Sequence, residues 1–137
     1  MPITLLLSAD LYQGAPVANI TLDGVVQPPV PVTVLHGQPS QRVVLVAAPG
    51  PHTLVIAFAN DAYGGTATTD RNLYLDGVAG VAETVPPRTF MSPSSLTMTV
   101  TVPEDAPAMV ARLVTTLTTA AALSQRLQAV MAVHNRE

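Results

Sequence analysis

Between residues 3 and 102 the chain offers seven short runs rich in β-branched residues, each cut off by turn chemistry. That spacing leaves a layered β structure as the expected solution. The runs cover residues 3–9, 18–22, 30–35, 42–47, 52–58, 72–76 and 96–102. In Thr53-Leu-Val-Ile-Ala-Phe58 the larger side chains Leu54, Ile56 and Phe58 fall on one face, which is expected to point inward. Leu96-Thr-Met-Thr-Val-Thr-Val102 alternates more cleanly, with Leu96, Met98, Val100 and Val102 inward and three Thr outward. Pro28-Pro29, Pro49-Gly-Pro51, Gly64-Gly65 and Pro86-Pro87 punctuate the runs. Short strands separated by turns predict a mainly β fold, a β-sandwich or jelly roll.

After Pro103 the period changes. Asp105 is a fair helix N-cap, and Pro107 is tolerated in a first turn whose N–H groups lack partners. From 108 to about 133 the apolar residues Met109, Leu113, Leu117, Ala120, Leu123, Leu127 and Val130 recur every three or four positions. The expected organisation is therefore a sandwich over residues 1–103 with an appended C-terminal α-helix over 104–137. Thr115, Thr116, Thr118 and Thr119 weaken local helix propensity, so packing must hold the helix. Only Arg112 and Arg126 carry charge between Ala106 and Val133, which leaves no obvious solvent face. Such a helix either lies against its own sandwich or pairs with copies of itself, and a homo-oligomer, or docking to a larger assembly, is expected. Leu113 to Gln125 is the longest uncharged stretch in this part, and its 13 residues are too short to span a bilayer. No membrane partner and a soluble chain are expected.

Composition removes several function classes. The formal charge is −3, all six cations are Arg, and no basic run exists, so nucleic acid is not an expected partner. Without cysteine there are no disulfides, thiolate metal sites or cysteine nucleophiles. His36, His52 and His134 are scattered without metal-ligand spacing and read as surface or turn residues. No nucleophile elbow, P-loop or dinucleotide fingerprint occurs. The stretch Met1-Pro-Ile-Thr-Leu-Leu-Leu-Ser-Ala-Asp10 lacks a basic start and has too short an apolar run for a signal peptide.

Two stretches echo each other. Asp10-Leu-Tyr-Gln-Gly14 precedes Asn19-Ile-Thr-Leu-Asp-Gly-Val25, and Asp61-Ala-Tyr-Gly-Gly65 precedes Asn72-Leu-Tyr-Leu-Asp-Gly-Val78. The second copy adds Asp70 just before its strand. Hard cations such as calcium take six to eight oxygens, roughly, from carboxylates, carbonyls and water, and loops rich in Asp, Asn and Gly supply them. The echo points to a metal-linked surface. By residue type alone, the loop from Asn60 to Asp70 reads first as a long hairpin connection built on Asx turns, with Gly64-Gly65 supplying positive φ.

The stretch Phe58-Ala-Asn-Asp-Ala-Tyr-Gly-Gly-Thr-Ala-Thr-Thr-Asp-Arg-Asn-Leu-Tyr-Leu-Asp-Gly77 resembles the signature of the calcium-dependent, xylan-binding type of carbohydrate-binding module. Ser8-Ala-Asp-Leu-Tyr-Gln-Gly14, residues 17–25 and Gly50-Pro-His-Thr-Leu-Val-Ile-Ala-Phe58 match the same pattern, so the resemblance runs from about residue 3 to residue 80. It implies a small, non-catalytic jelly roll with Ca2+ in the loops at one end, where vicinal hydroxyls of a polysaccharide complete the coordination. Carried over, the metal residues are Asp10, Asp61 and Asp70, with main-chain carbonyls near Tyr63 and Gly64. Tyr12 and Tyr63 are implied to flank the sugar, Gly64 and Gly65 to leave room for it, and Asn60, Arg71 and Asn72 to adjoin it. Arg71 either pairs with a ligand carboxylate or orients the loop. The family often has Trp where this chain has Tyr63, and residues 86–102 and the helix lie outside the match. Asp23 and Asp76 are expected to close two Asp-Gly turns. A rival reading makes the chain a subunit of a phage or phage-like particle, a head fibre or spike that attaches to surface glycan. Either reading suggests action outside the cell or on a particle, while the sequence leaves the compartment open.

Overall fold

The computed structural model describes residues 2–134. The chain divides after Pro103 into two compact units. The first contains β1 (Ile3–Asp10), β2 (Val17–Leu22), β3 (Val25–Val26), β4 (Val30–Pro31), β5 (Gln41–Leu45), β6 (Gly50–Phe58), β7 (Ala62–Tyr63), β8 (Asp70–Ala79), β9 (Arg88–Phe90) and β10 (Ser94–Val102). They form two five-stranded antiparallel sheets, one ordered β5-β1-β8-β7 with β9 also on β8, the other β10-β6-β2-β3 with β4 also on β2. The fold is a β-sandwich followed by a single helix.

Alternation places the core. Ile3, Leu5, Leu7 and Ala9 of β1, Leu54, Ile56 and Phe58 of β6, and Leu73 and Leu75 of β8 are buried between the sheets. The inward face read for residues 53–58 is the face the sandwich buries. On β10, Val100 and Val102 are buried as expected, while Leu96 and Met98 only pack against the margin of the core. The reason is position, since β10 is the outermost strand of its sheet.

Three differences from the sequence reading have physical causes. The run 30–35 makes a strand only at β4; Leu35 contributes just an isolated bridge to Ala9. Pro31 has no N–H to extend a ladder, and Val32 turns into the core. The strands β3, β7 and β9 have two or three residues each, too few to show a period. The two Asp-Gly pairs also part company. Asp23-Gly24 is the two-residue loop between β2 and β3, with φ of 51° and 80°, the signature of a hairpin turn. Asp76-Gly77 lies inside β8, where Leu6 pairs with Gly77 and Leu7 with Leu75. Asp76 is thus the extra residue of a β-bulge, not part of a turn.

Asp23 ties its turn to β6. Its Oδ1 accepts the Thr53 N–H at 2.8 Å, and its Oδ2 lies 2.7 Å from His52 Nδ1. The far nitrogen of His52 reaches the Ala48 carbonyl at 2.6 Å. His52 is therefore locked into a network rather than a free turn residue. The hydrogen bond to Asp23, then that to Ala48, raises the imidazole pKa above its usual 6.5. The same bond, then the Thr53 N–H, lowers the Asp23 carboxyl below 3.8. A raised histidine stabilises fully below its unfolded value and stops doing so as pH climbs through the folded one. The depressed Asp23 contributes above its own unfolded value, and that contribution fades only in acid. The urea midpoint should accordingly decline as pH rises from 6.5 towards 8, and the decline should flatten in His52→Gln. Equal slopes in the two proteins would remove His52 from this role.

Gly80 closes β8 onto the chain start. Its φ is +82°, and a Cβ there would overlap the Pro2 carbonyl oxygen. Gly80→Ala should cost at least about 2 kcal/mol, combining left-handed strain with the backbone shift. Chemical denaturation measures it.

The second unit carries α1 (Ala106–His134). Asp105 caps it, Oδ1 accepting the Ala108 N–H at 2.8 Å, and Glu104 pairs with Arg112 at 2.9 Å. Thr115, Thr116, Thr118 and Thr119 each donate their hydroxyl to the carbonyl four residues back. None of the helix residues is buried, and Leu113, Leu117, Leu123 and Leu127 are all well over half exposed. Taken whole, α1 is long and apolar enough to cross a membrane by length and composition. The 13-residue count in the sequence reading was too narrow, because two Arg interrupt the apolar run without ending it.

Candidate functional site

β8 runs through the middle of the candidate residues. On one edge Asp10 pairs with Asn72, Ala9 with Leu73 and Ser8 with Tyr74. On the other, Tyr63 pairs with Asp70 and Ala62 with Arg71. Continued by one residue, that register sets Asp61 across from Asn72. Residues directly opposite in an antiparallel pair, and residues two apart on a strand, share a face. Ala9, Leu73 and Leu75 take the core face, so Ser8, Asp10, Asp61, Tyr63, Asp70, Asn72 and Tyr74 share the other.

The contacts bear this out at its centre. Asn72, 4% exposed, donates its amide to Asp10 Oδ2 at 3.0 Å and to Asp70 Oδ2 at 3.1 Å. The Tyr74 hydroxyl donates to Asp10 Oδ2 at 2.6 Å. Burial, then that hydrogen bond, pushes the phenol up to about 12, so Tyr74 remains a donor throughout the neutral range. Asp10 Oδ2 thus accepts from two donors, the Asn72 amide and the Tyr74 hydroxyl. Two buried oxygens of the same cluster, Asp61 Oδ1 and Asn72 Oδ1, have no hydrogen-bond partner. An orphaned buried acceptor costs about 1–3 kcal/mol, a cost that a bound cation would offset.

The loops are held from beneath. Arg71 donates Nε to the Tyr12 carbonyl at 2.9 Å, Nη1 to the Asn60 carbonyl at 2.6 Å, and Nη2 to the Gln13 carbonyl. Asn60 bridges the same two loops, accepting the Val17 N–H at 2.8 Å and donating to the Ala15 carbonyl at 3.0 Å. Both side chains are thus spent on fastening loop 11–16 to loop 59–61. Of the two roles open to Arg71, orienting the loop is the one its contacts serve. Gly64 is needed for close approach, since a Cβ there would come within 2.6 Å of the Tyr12 hydroxyl and 2.7 Å of Thr69 Cβ. It is a packing position rather than an open door for ligand. Gly65 has free space around it at φ +96°, and the Tyr63 ring beside it is 66% exposed.

The donor set is all oxygen, which suits a hard cation. Among the described residues no three acidic or histidine side chains converge tightly enough to hold a metal by themselves. Asp10, Asp61 and Asp70 are spread across one sheet face, so carbonyl, amide and water oxygens must complete any shell. Calcium, with its flexible geometry, accepts such a mixture.

Sequence reasoning missed the neighbours of Asp10. The His36 ring stacks on Tyr74 with centroids 3.8 Å apart at 15°. Ser8 Oγ sits 3.0 Å from His36 Nδ1 and donates to Asp76 Oδ1 at 3.0 Å, while Ser40 donates to Asp76 Oδ2 at 2.6 Å. His36 is therefore not a loose surface residue. Nor is this a hydrolytic triad, because Ser8 is fully buried and meets the imidazole on the same nitrogen that faces the aspartate. The signal was present in the alternation of Asp70, Asn72, Tyr74 and Asp76 with Leu73 and Leu75.

A sandwich that sets three carboxylates and two unpaired buried oxygens on one sheet face, with an exposed tyrosine paired to one of the acids, has the form of a metal-assisted ligand-binding module. Residues 2–91 match the model of CBM60, described as a Ca-dependent, xylan-binding carbohydrate-binding module. The chain belongs to that family, and Ca2+ is its cofactor. Among curated proteins and solved structures, none matches the chain. No comparison supports the reading as a phage particle subunit.

Proposed function

We propose that the chain is a non-catalytic protein that binds a xylan-like polysaccharide or a cell-surface glycan through calcium held by the loops around Asn72. The observation that carries this is the pair of orphaned oxygens, Asp61 Oδ1 and Asn72 Oδ1, in the part of the fold that the family match covers. Asp10, Asp61 and Asp70 hold the ion, with carbonyls near Tyr63 and Gly64. Bound calcium supplies open coordination positions at which a vicinal diol replaces water with little loss of enthalpy. Arg71 and Asn60 keep the two loops in register, so little ordering remains to be done on binding. Tyr12 and Tyr63 offer flat apolar faces with polar tips to the sugar. A glycan array probed with calcium, and again with EDTA, tests the reading: signals that persist in EDTA defeat it.

Calcium should also raise the melting temperature, because a ligand bound only by the native state shifts unfolding by about 2.7 kcal/mol at a hundredfold excess over Kd. Superimposable melts in millimolar calcium and in EDTA would leave the site without a metal. The helix serves self-association in this reading, since only Arg112 and Arg126 carry charge between Ala106 and Val133, which leaves its apolar residues in need of cover. Light scattering should report a larger particle for the full chain than for one ending at Pro103. Two monomers would remove that part.

A further inference from the structure

We propose that His36, stacked on Tyr74, forms a second sugar subsite beside the calcium loops, taking the next residue of an extended, neutral glycan chain. The inference rests on the proposed function and adds a site that the signature loops do not contain. Tyr74 covers one face of the imidazole, and the His36 side chain is 50% exposed, so the opposite face is open. The ring is held before any ligand arrives. The His36 N–H donates to the Ala9 carbonyl at 3.0 Å, and the Ala9 N–H donates to the Val34 carbonyl at 2.8 Å, pinning this loop to β1.

The side chain is held as well. The single Ser8 hydroxyl proton goes to Asp76, so Ser8 Oγ accepts from Nδ1, which is the protonated nitrogen. With the proton on Nδ1, Nε2 is the acceptor nitrogen of the ring, able to take a hydrogen bond from a sugar hydroxyl.

Continuity with the first site fixes the occupant. Tyr74 carries the platform at its ring and touches Asp10 Oδ2 at its hydroxyl, 2.6 Å away. The two sites are thus separated by one phenol, a span comparable to one sugar unit in a chain. A pyranose with equatorial hydroxyls presents apolar C–H faces, and these lie flat on an aromatic face while the hydroxyls stay at the rim. Because the platform is rigid, most of the contact is retained as affinity.

Titration calorimetry of the calcium-loaded full chain with xylobiose through xylohexaose tests this. Affinity should rise with length, and His36→Ala should cut the hexaose-to-biose affinity ratio about 3- to 10-fold, the size of effect a stacked ring has. His36→Phe, which keeps the flat surface and loses Nδ1, should retain most of the ratio. Circular dichroism checks that both variants are folded. An unchanged ratio in His36→Ala, or equal losses in Ala and Phe, overturns the subsite while leaving the calcium reading intact. If the folded wild-type chain binds none of these oligosaccharides with calcium, the subsite falls, while the calcium reading stands or falls on the glycan array.

Discussion

Asp61→Ala should abolish calcium-dependent glycan binding, a loss of at least about 100-fold, without damage to the fold. Removing a carboxylate from an ion that holds only two or three leaves its charge poorly balanced. The stability side is as specific. Asp61 Oδ1 is buried without a partner when no ion is present, so it costs the fold free energy in EDTA. Replacing it by Ala removes that cost. In EDTA the variant should therefore melt at or above the wild-type temperature; in millimolar calcium the wild type should rise and the variant should not. Calorimetric scans of both proteins in both buffers give the four numbers. A variant that still binds glycan only with calcium, or one destabilised in EDTA, would show that Asp61 has a different task.

Phe58→Ala should be the most damaging of the core changes, at about 3–5 kcal/mol. Phe58 is 1% exposed and sits where β6 pairs with both Ala18 and Ser94, so β2 and β10 cannot readily close over the vacated volume. A domain of this size is stable by only about 5–15 kcal/mol, so the variant should be marginal at 37 °C. Phe58 also leads directly into Asn60 and Asp61, and a shift there should loosen the loop pairing that Asn60 makes with Ala15 and Val17. Saturating calcium should restore part of the lost stability by mass action. Urea titrations with and without calcium measure both effects. A loss below about 1 kcal/mol would mean that the site collapses freely, contrary to the close packing of interiors.

The sequence singles out the candidate acids and says little of the architecture around them. Asp10, Asp61 and Asp70 stand out because short carboxylate loops next to Gly are uncommon inside a β pattern. Asn72 looked like a neighbour, whereas it is the buried centre, giving one amide to two carboxylates. Arg71 looked available to a ligand, whereas three carbonyls occupy it. Which hydrogen bonds a long polar side chain makes depends on groups brought close from distant positions, and sequence spacing does not report that distance.

The alternation of apolar residues by itself determined the mainly β fold, the inward faces of β6 and β10, and the change to a helix after Pro103. These follow from local periods, because a side chain's face is set by the backbone geometry of its own element. The tertiary structure decided where the echo breaks. Asp23-Gly24 and Asp76-Gly77 are identical dipeptides, yet one is a hairpin turn and the other a bulge. The difference arises because β8 is central, held on both edges, while β2 turns back onto a two-residue strand. It also decided that Ser8, His36, Tyr74 and Asp76 meet, since a register between β1 and β8 and a loop folded across them are long-range pairings. No local preference selects such a register; burying the opposite face of both strands does.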